Sequence, residues 1–423
     1  MPKLLDTALQ LDKSDLLKHY REQFHIPKDE EGKAKIYFCG NSLGLQPKKV
    51  TQYLQESLHK WQSQGVEGHF EEPAPWLTYH ILLKASLAHI TGAHEHEVVA
   101  MNNLTTNLHL MMVSFYRPSG QRYKIMLEAG AFPSDQYAVE SQLRFRGYDP
   151  EDAIIEVQPK PGEETLHMDD IIARMHEHKE EIALVLFPGV QYYTGQYIDI
   201  QKITEAAHEI GAKAGFDLAH TVGNIPLQLH DWNVDFAVWC SYKYLNSGPG
   251  SNGGVFVHEH YASDTTLTRF AGWWGHDEKE RFQMKKGFRP MYGADGWQLS
   301  NVNILSASVQ RFALEMIAQA GMENLRKKSI QLTDFLESCI QELDPEGQQI
   351  KIITPSNPEE RGCQLSMFVL RGGKHLFQKL TEASIVVDWR EPNVIRVAPN
   401  PLYNTFEEVY RFYEILKSTL HAY

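Results

Sequence analysis

The chain has 423 residues, 42% of them hydrophobic and 22% charged, with a formal net charge of −13. This is the length and composition of an ordinary globular protein with room for two domains and a large core. The acidic balance excludes a nucleic-acid-binding face, no apolar run reaches the ~18 residues a membrane span requires, and the start Met1-Pro2-Lys3-Leu4-Leu5-Asp6 has no signal-peptide core.

The four cysteines, Cys39, Cys240, Cys339 and Cys363, lie far apart without metal-ligand spacing. They read as free thiols of a reducing compartment, so a cytoplasmic protein is expected. Twenty histidines invite a metal. Pairs such as His94/His96, His176/His178 and His258/His260 form no His-Glu-x-x-His arrangement, however. Glu95 and Glu97 alternate with His94 and His96 in the manner of a solvated loop, and no metal is expected.

In chain order, residues 1–35 are polar, with a helix expected around Ser14–Gln23. Helices follow at Val50–Gln62 and Trp76–Thr91. From about residue 97, short apolar runs alternate with amphipathic stretches. Strand Val98–Met101 precedes helix Thr105–Tyr116, and strand Lys124–Glu128 precedes helix Asp135–Phe145. Strand Ala153–Val157 precedes helix Met168–His178, and strand Ala183–Phe187 precedes helix Ile200–Ile210. Strands Ala212–Phe216 and Val234–Cys240 close the series. Such alternation predicts a parallel sheet covered by helices on both faces. After about Ser300 the pattern changes. Helices Ile304–Gln319 and Glu323–Leu343 lead into strands at Gln349–Thr354, Gln364–Leu370, Ile385–Trp389 and Val394–Val397. Helices Lys374–Glu382 and Phe406–Leu420 are interspersed, as in a smaller α+β domain.

Chemistry concentrates at the strand ends, where open α/β sheets bind ligands. One strand delivers Asp217 in Asp217-Leu218-Ala219-His220, and the next delivers Lys243 in Ser241-Tyr242-Lys243. Each alone fits a helix cap or a loop residue. Together they suit pyridoxal phosphate, which needs a lysine for its aldehyde and an acid to keep its ring nitrogen protonated. Asn103-Leu104-Thr105 opens a helix and offers a phosphate site or a simple cap. Phe132-Pro133-Ser134-Asp135 places an aromatic where it can stack on a heterocycle or fill the core. Gly40-Asn41-Ser42-Leu43-Gly44 is a tight turn that permits close backbone approach to a ligand. Gly272-Trp273-Trp274-Gly275 carries an indole N–H that could reach a phosphate. Arg396, inside the apolar strand Val394–Val397, needs an anion: a substrate carboxylate or an internal salt bridge.

Taken with Tyr193-Thr194-Gly195-Gln196, these segments resemble the kynureninases, a family of fold type I pyridoxal-phosphate enzymes with a class V aminotransferase-like plan. The resemblance runs nearly end to end. It implies an α/β large domain with a mostly parallel seven-stranded sheet and a small α+β C-terminal domain. The boundaries it implies are an N-terminal segment at 1–60 packing on the small domain, a large domain at 61–303 and a small one at 304–423. It implies hydrolysis of L-kynurenine or 3-hydroxy-L-kynurenine to anthranilate or 3-hydroxyanthranilate and L-alanine, in tryptophan degradation. Lys243 would bond the cofactor, Asp217 would pair with the ring nitrogen, and His220 would lie beside it. Leu104, Thr105, Pro133, Ser134, Asp135 and Tyr242 would contact the cofactor, with Phe132 stacked on the ring and Tyr242 relaying a proton. Trp273 and Asn301 would reach the site from the partner subunit of a homodimer. Arg396, His69, Asn301, Ser42 and Tyr193 would hold the amino-acid substrate. Pro188 departs from the pattern, since a close relative can carry Ser there as a cofactor contact. A cysteine desulfurase or an aminotransferase of the same fold is the alternative; a desulfurase would usually carry His where Tyr242 stands and needs a reactive loop cysteine.

Overall fold

The computed structural model describes residues 2–420. Its strands are β1 (Ile36–Tyr37), β2 (Val98–Met101), β3 (Lys124–Glu128), β4 (Ile154–Val157), β5 (Ile182–Pro188), β6 (Lys213–Asp217), β7 (Phe236–Trp239), β8 (Gly253–Val257), β9 (Ile350–Ile352), β10 (Leu365–Val369), β11 (Ile385–Val386), β12 (Asp388–Arg390) and β13 (Val394–Val397). Seven of them form the central sheet in the order β2-β8-β7-β6-β5-β3-β4. All run parallel except β8, which is antiparallel to both neighbours.

The strands are apolar because both faces are covered. Val98 and Ala100 of β2 point into one core with Leu83, Ile203 and Ile317, whereas Val99 and Met101 point into the other with Met111 and Val139. This alternation on a two-sided sheet turns each strand into a continuous apolar run. The second sheet is antiparallel, in the order β12-β13-β10-β9. It packs under the Met322–Leu343 and Phe406–Leu420 helices through Leu336, Ile395, Val397 and Phe412.

β8 was hidden in the glycine-rich run 246–254, which looks like a loop. The glycines are there because Trp239 lies flat on the strand: a Cβ on Gly254 would sit 2.1 Å from Trp239 Cε2. A glycine inside a strand marks such a close approach. Near the N-terminus the helix occupies Pro2–Ser14, and only a short 3-10 turn covers Lys18–Gln23. Residues Trp76–Thr91 divide into a turn at Trp76–Thr78 and a helix at Ile81–Thr91.

The two units are tied by segments that cross between them. Ala8 joins the C-terminal core, and β1 pairs in parallel with β11. The Val50–Gln64 helix packs on the Ile304–Ala320 helix, whose Phe312, Leu314 and Ile317 sit in the central core. Among the described residues no helix is long and apolar enough to cross a membrane. Replacing Gly254 by Ala should lower stability by roughly 1–3 kcal/mol, the cost of overpacking a close-packed core. Urea unfolding of Gly254→Ala checks this, and an unchanged midpoint would mean that Trp239 can yield.

Candidate active site

The carboxyl ends of β2, β3, β5, β6 and β7 surround one cavity of about 270 Å³. Glu128 ends β3, Pro188 ends β5 and Asp217 ends β6, with Asp217 in register with both Pro188 and Val238. Lys243 follows β7, and its Nζ donates to His220 Nε2 at 2.9 Å. An ammonium can only donate, so this nitrogen of His220 is the acceptor. Burial foremost, and then the Lys243 charge, holds His220 well below the usual histidine range, so the ring is neutral. Phe132 faces the lysine, with Nζ 6.0 Å from its ring centroid.

Two helix N-termini point into the same space. The Leu104–Phe115 helix is capped by Asn103, whose side chain accepts from Thr106 N, and the Pro133–Phe145 helix starts on a proline, whose missing N–H costs nothing there. They bring Thr105 Oγ1 and Ser134 Oγ to 2.8 Å. Two helix dipoles and two hydroxyls form a place for a phosphate. The deep end of the cavity is acidic. Burial pushes Glu128 up to about 8, offset in part by Gln191 and reinforced by Asp217. Burial also raises Asp135, well above the carboxylate range, and raises Asp217. Asp217 is relieved by Asp135, Lys243 and the Ala219 N–H at 2.7 Å. Asp135 therefore keeps its proton, and Asp217 is the member that carries charge. Asp135 Oδ1, Glu128 Oε2 and His220 Nδ1 are buried without a hydrogen-bond partner in the protein. Such orphaned atoms around a cavity with a lysine and a phosphate cradle fit a bound, polar, flat cofactor.

The C-terminal sheet closes the cavity from the other side. Arg396 is 1% exposed and already heavily engaged. It donates to Asp388 through Nε (3.3 Å) and Nη2 (2.7 Å), to the Tyr192 carbonyl through Nη1 (2.8 Å) and to Ser42 Oγ (3.3 Å). Arg390 shares the same carboxylate, with Nη2 3.2 Å from Asp388 Oδ2. Two guanidiniums on one carboxylate leave a net positive charge beside Asn41 and Ser42. The glycines of the 40–44 turn serve the chain itself: a Cβ on Gly44 would lie 2.3 Å from the Lys243 carbonyl.

The cavity thus gathers Ser42, Leu104, Thr105, Phe132, Ser134 and Asp135 with Asp217, His220, Tyr242, Lys243 and Arg396. Pro133 stands behind Phe132 as the first residue of its helix. Tyr193 does not line it; its neighbour Tyr192 does, with its ring edge-on to Phe132 at 5.1 Å. His69, Trp273 and Asn301 also lie outside the cavity. His69 Nδ1 bonds the Val66 carbonyl, and the Trp273 indole donates to the Arg281 carbonyl. Asn301 Oδ1 is buried without a partner. Sequence reasoning passed over Glu128, Arg390 and Asp388. The Glu that ends an apolar strand was the one available signal.

Comparisons with known proteins agree with this geometry. Residues 325–416 match the family model for the kynureninase C-terminal domain. A kynureninase from Flavobacterium psychrophilum is 53% identical over 414 residues, covering 98% of this chain and 97% of its own. One from Myxococcus xanthus is 52% identical, covering 97% of this chain and 96% of its own. The chain belongs to the kynureninase family. Similar solved structures include the cysteine desulfurase of Thermococcus onnurineus NA1, with a TM-score of 0.74 at 17% identity over 92% of this chain and 95% of its own. A C-DES mutant with glycine covalently linked to its pyridoxal-phosphate cofactor gives 0.76 at 17% identity, over 94% of this chain and 98% of its own. These distant likenesses show the fold, which is fold type I. The kynureninase model covers only the C-terminal unit, whereas the kynureninase relatives span the strands that carry Asp217 and Lys243.

The buried acid has a consequence for stability. Glu128 rises from its ordinary 4.5 to about 8 in the folded chain, so the native state holds a proton that the unfolded state has released. Stability then falls as pH rises across that window. Cofactor-free Glu128→Gln should lose less stability than wild type between about pH 5 and pH 8. Parallel slopes in urea midpoint against pH would show that Glu128 is ionised throughout.

Proposed function

We propose that this chain cleaves L-kynurenine and 3-hydroxy-L-kynurenine by adding water, yielding anthranilate or 3-hydroxyanthranilate and L-alanine. The reading rests on Lys243 facing Asp217 across the cavity in a chain of the kynureninase family. Pyridoxal phosphate, when bound, supplies an electron sink for charge that builds on the amino-acid carbon.

The chain's own residues supply the rest. Thr105, Ser134 and the two helix N-termini would hold the phosphate, with Leu104 and Tyr242 beside them. Asp217 would hold the cofactor's ring nitrogen, with Asp135, raised by burial, hydrogen-bonded to it. Phe132 would lie against the cofactor ring. The Lys243 amine, once free of the cofactor, would take the α-proton of the bound substrate. Arg390, Arg396 and Ser42 hold the substrate carboxylate. Addition of water to the γ-carbonyl lets the Cβ–Cγ bond break. Burial raises the Tyr242 phenol, which keeps its proton and can deliver it to Cβ. The desulfurase alternative needs a cysteine over the cavity, and among the described residues none lines it.

The site works as a pair of subunits in this reading. Exposed apolar side chains cluster at Trp61, Val66 and Phe70, and again at Phe270, Trp273 and Phe282. Large exposed apolar groups support an interface. A second copy would cover them and bring Trp273, Asn301 and His69 to the site, where polar His69 and Asn301 suit a ring hydroxyl.

Purified holoenzyme given kynurenine should release anthranilate and alanine in equal amounts; sulfide from cysteine in their place would overturn the assignment. Lys243→Ala should abolish turnover, and borohydride should fix the cofactor on Lys243 in the wild type. Because Arg396 is largely spent on Asp388 and Tyr192, Arg390→Gln should raise KM about tenfold while kcat changes little. An unchanged KM would place the carboxylate on Arg396 alone. Mixing Lys243→Ala with Trp273→Ala should restore activity through hybrid dimers, and a mixture that stays dead speaks against a shared site.

A further inference from the structure

At the other end of the central sheet, three turns meet around histidines that the reaction does not use. The 94–97 turn leads into β2, the 259–261 turn follows β8, and His230 lies in the loop before β7. Val98 pairs with Phe256 across β2 and β8, which brings the first two turns together. In sequence, the alternating His and Glu looked like a solvated loop. The fold instead buries Glu97 completely. Its carboxylate accepts the backbone N–H groups of His94 (2.8 Å) and Glu259 (2.7 Å), and His230 Nδ1 lies 3.0 Å from it.

We propose that His94, His230 and Glu259 form a binding site for a divalent first-row transition metal of the zinc class, with His96 at its edge. Donor atoms of His94, His230 and Glu259 lie within 4.8 Å of one another. Glu259 Oε2 also lies 3.6 Å from His96 Nε2. That histidine nitrogen is buried without a hydrogen-bond partner in the protein, so the rim of the site keeps polar capacity to spare. Imidazoles with one carboxylate are the ligand set of zinc, nickel or copper rather than magnesium or calcium. Glu97 acts as the outer carboxylate that fixes a ligating histidine: by accepting from Nδ1 of His230 it leaves Nε2 to face the metal. His258 is a positioning residue, because both its ring nitrogens are engaged, one with the His230 carbonyl and one with the His260 N–H. The ion would pin three turns together at the end of the sheet opposite the cavity.

The test is equilibrium dialysis of the holoenzyme against micromolar zinc chloride, with bound metal counted per chain. Wild type should retain one ion that His94→Ala and Glu259→Gln, both at exposed positions, bind at least about tenfold more weakly. His176→Ala, at an exposed histidine elsewhere, should retain the ion. Glu97→Gln should weaken zinc about tenfold or more without touching a ligand. Should Glu97→Gln fail to fold, the two exposed variants decide alone. No retained zinc in wild type, or equal retention in wild type, His94→Ala and Glu259→Gln, overturns the proposal. Kynurenine cleavage is assayed separately and does not bear on the result.

Discussion

Asp217 and Lys243 stand at the ends of neighbouring strands, where neither charge could be held without the other. Asp217 lies buried at the deep end of the cavity, where an isolated ion would tend to neutralise itself. Three carboxyl groups, Glu128, Asp135 and Asp217, share this end of the cavity with one lysine and a neutral histidine. Burial raises all three, and Asp217, hydrogen-bonded by Asp135 and set against Lys243, is the one most relieved. In the proposed reading that division makes a single anion available to a ring nitrogen. Phe132, Tyr192 and Pro188 line the cavity, and His220 is neutral because it is buried and, secondarily, because Lys243 stands beside it.

The second sheet contributes the opposite charge. Arg396 and Arg390 come from adjacent strands of the C-terminal unit and meet on Asp388. A guanidinium as buried as Arg396 needs a permanent partner, and Asp388 supplies it. The same pairing leaves Arg390, half-exposed at the cavity wall, as the cation with capacity to spare. An amino acid held between the units would therefore meet an acidic pole at one end and a basic pole at the other. The cross-links through β1, Ala8 and the 40–44 turn keep those poles in register.

Much of this was legible in the residues. Apolar runs of four to seven residues alternating with amphipathic stretches are enough to give a parallel sheet with two covered faces. They located every central strand but β8. That strand escaped because its glycines answer to Trp239, a neighbour across the sheet rather than along the chain. The motif residues at strand ends, Thr105, Phe132, Asp217 and Lys243, could be named because a parallel sheet dictates where its ligands bind. Tyr193 was chosen over Tyr192 because a turn after a strand has no fixed periodicity to tell which ring faces inward. Glu97 was misread for a related reason: charge in a polar segment looks solvated until the neighbouring turns are seen to cover it.

The sequence by itself determined the order of strands along the chain, the lysine, the acid and the helix starts that face the cavity, since these depend on local periodicity and on residue type. Only the tertiary structure decided which carboxyls share a proton, how much of Arg396 is free, and that Arg390 and Glu128 belong to the cavity. Those outcomes depend on distance and desolvation between residues remote in sequence, and neither quantity has a signature in the chain until it is folded.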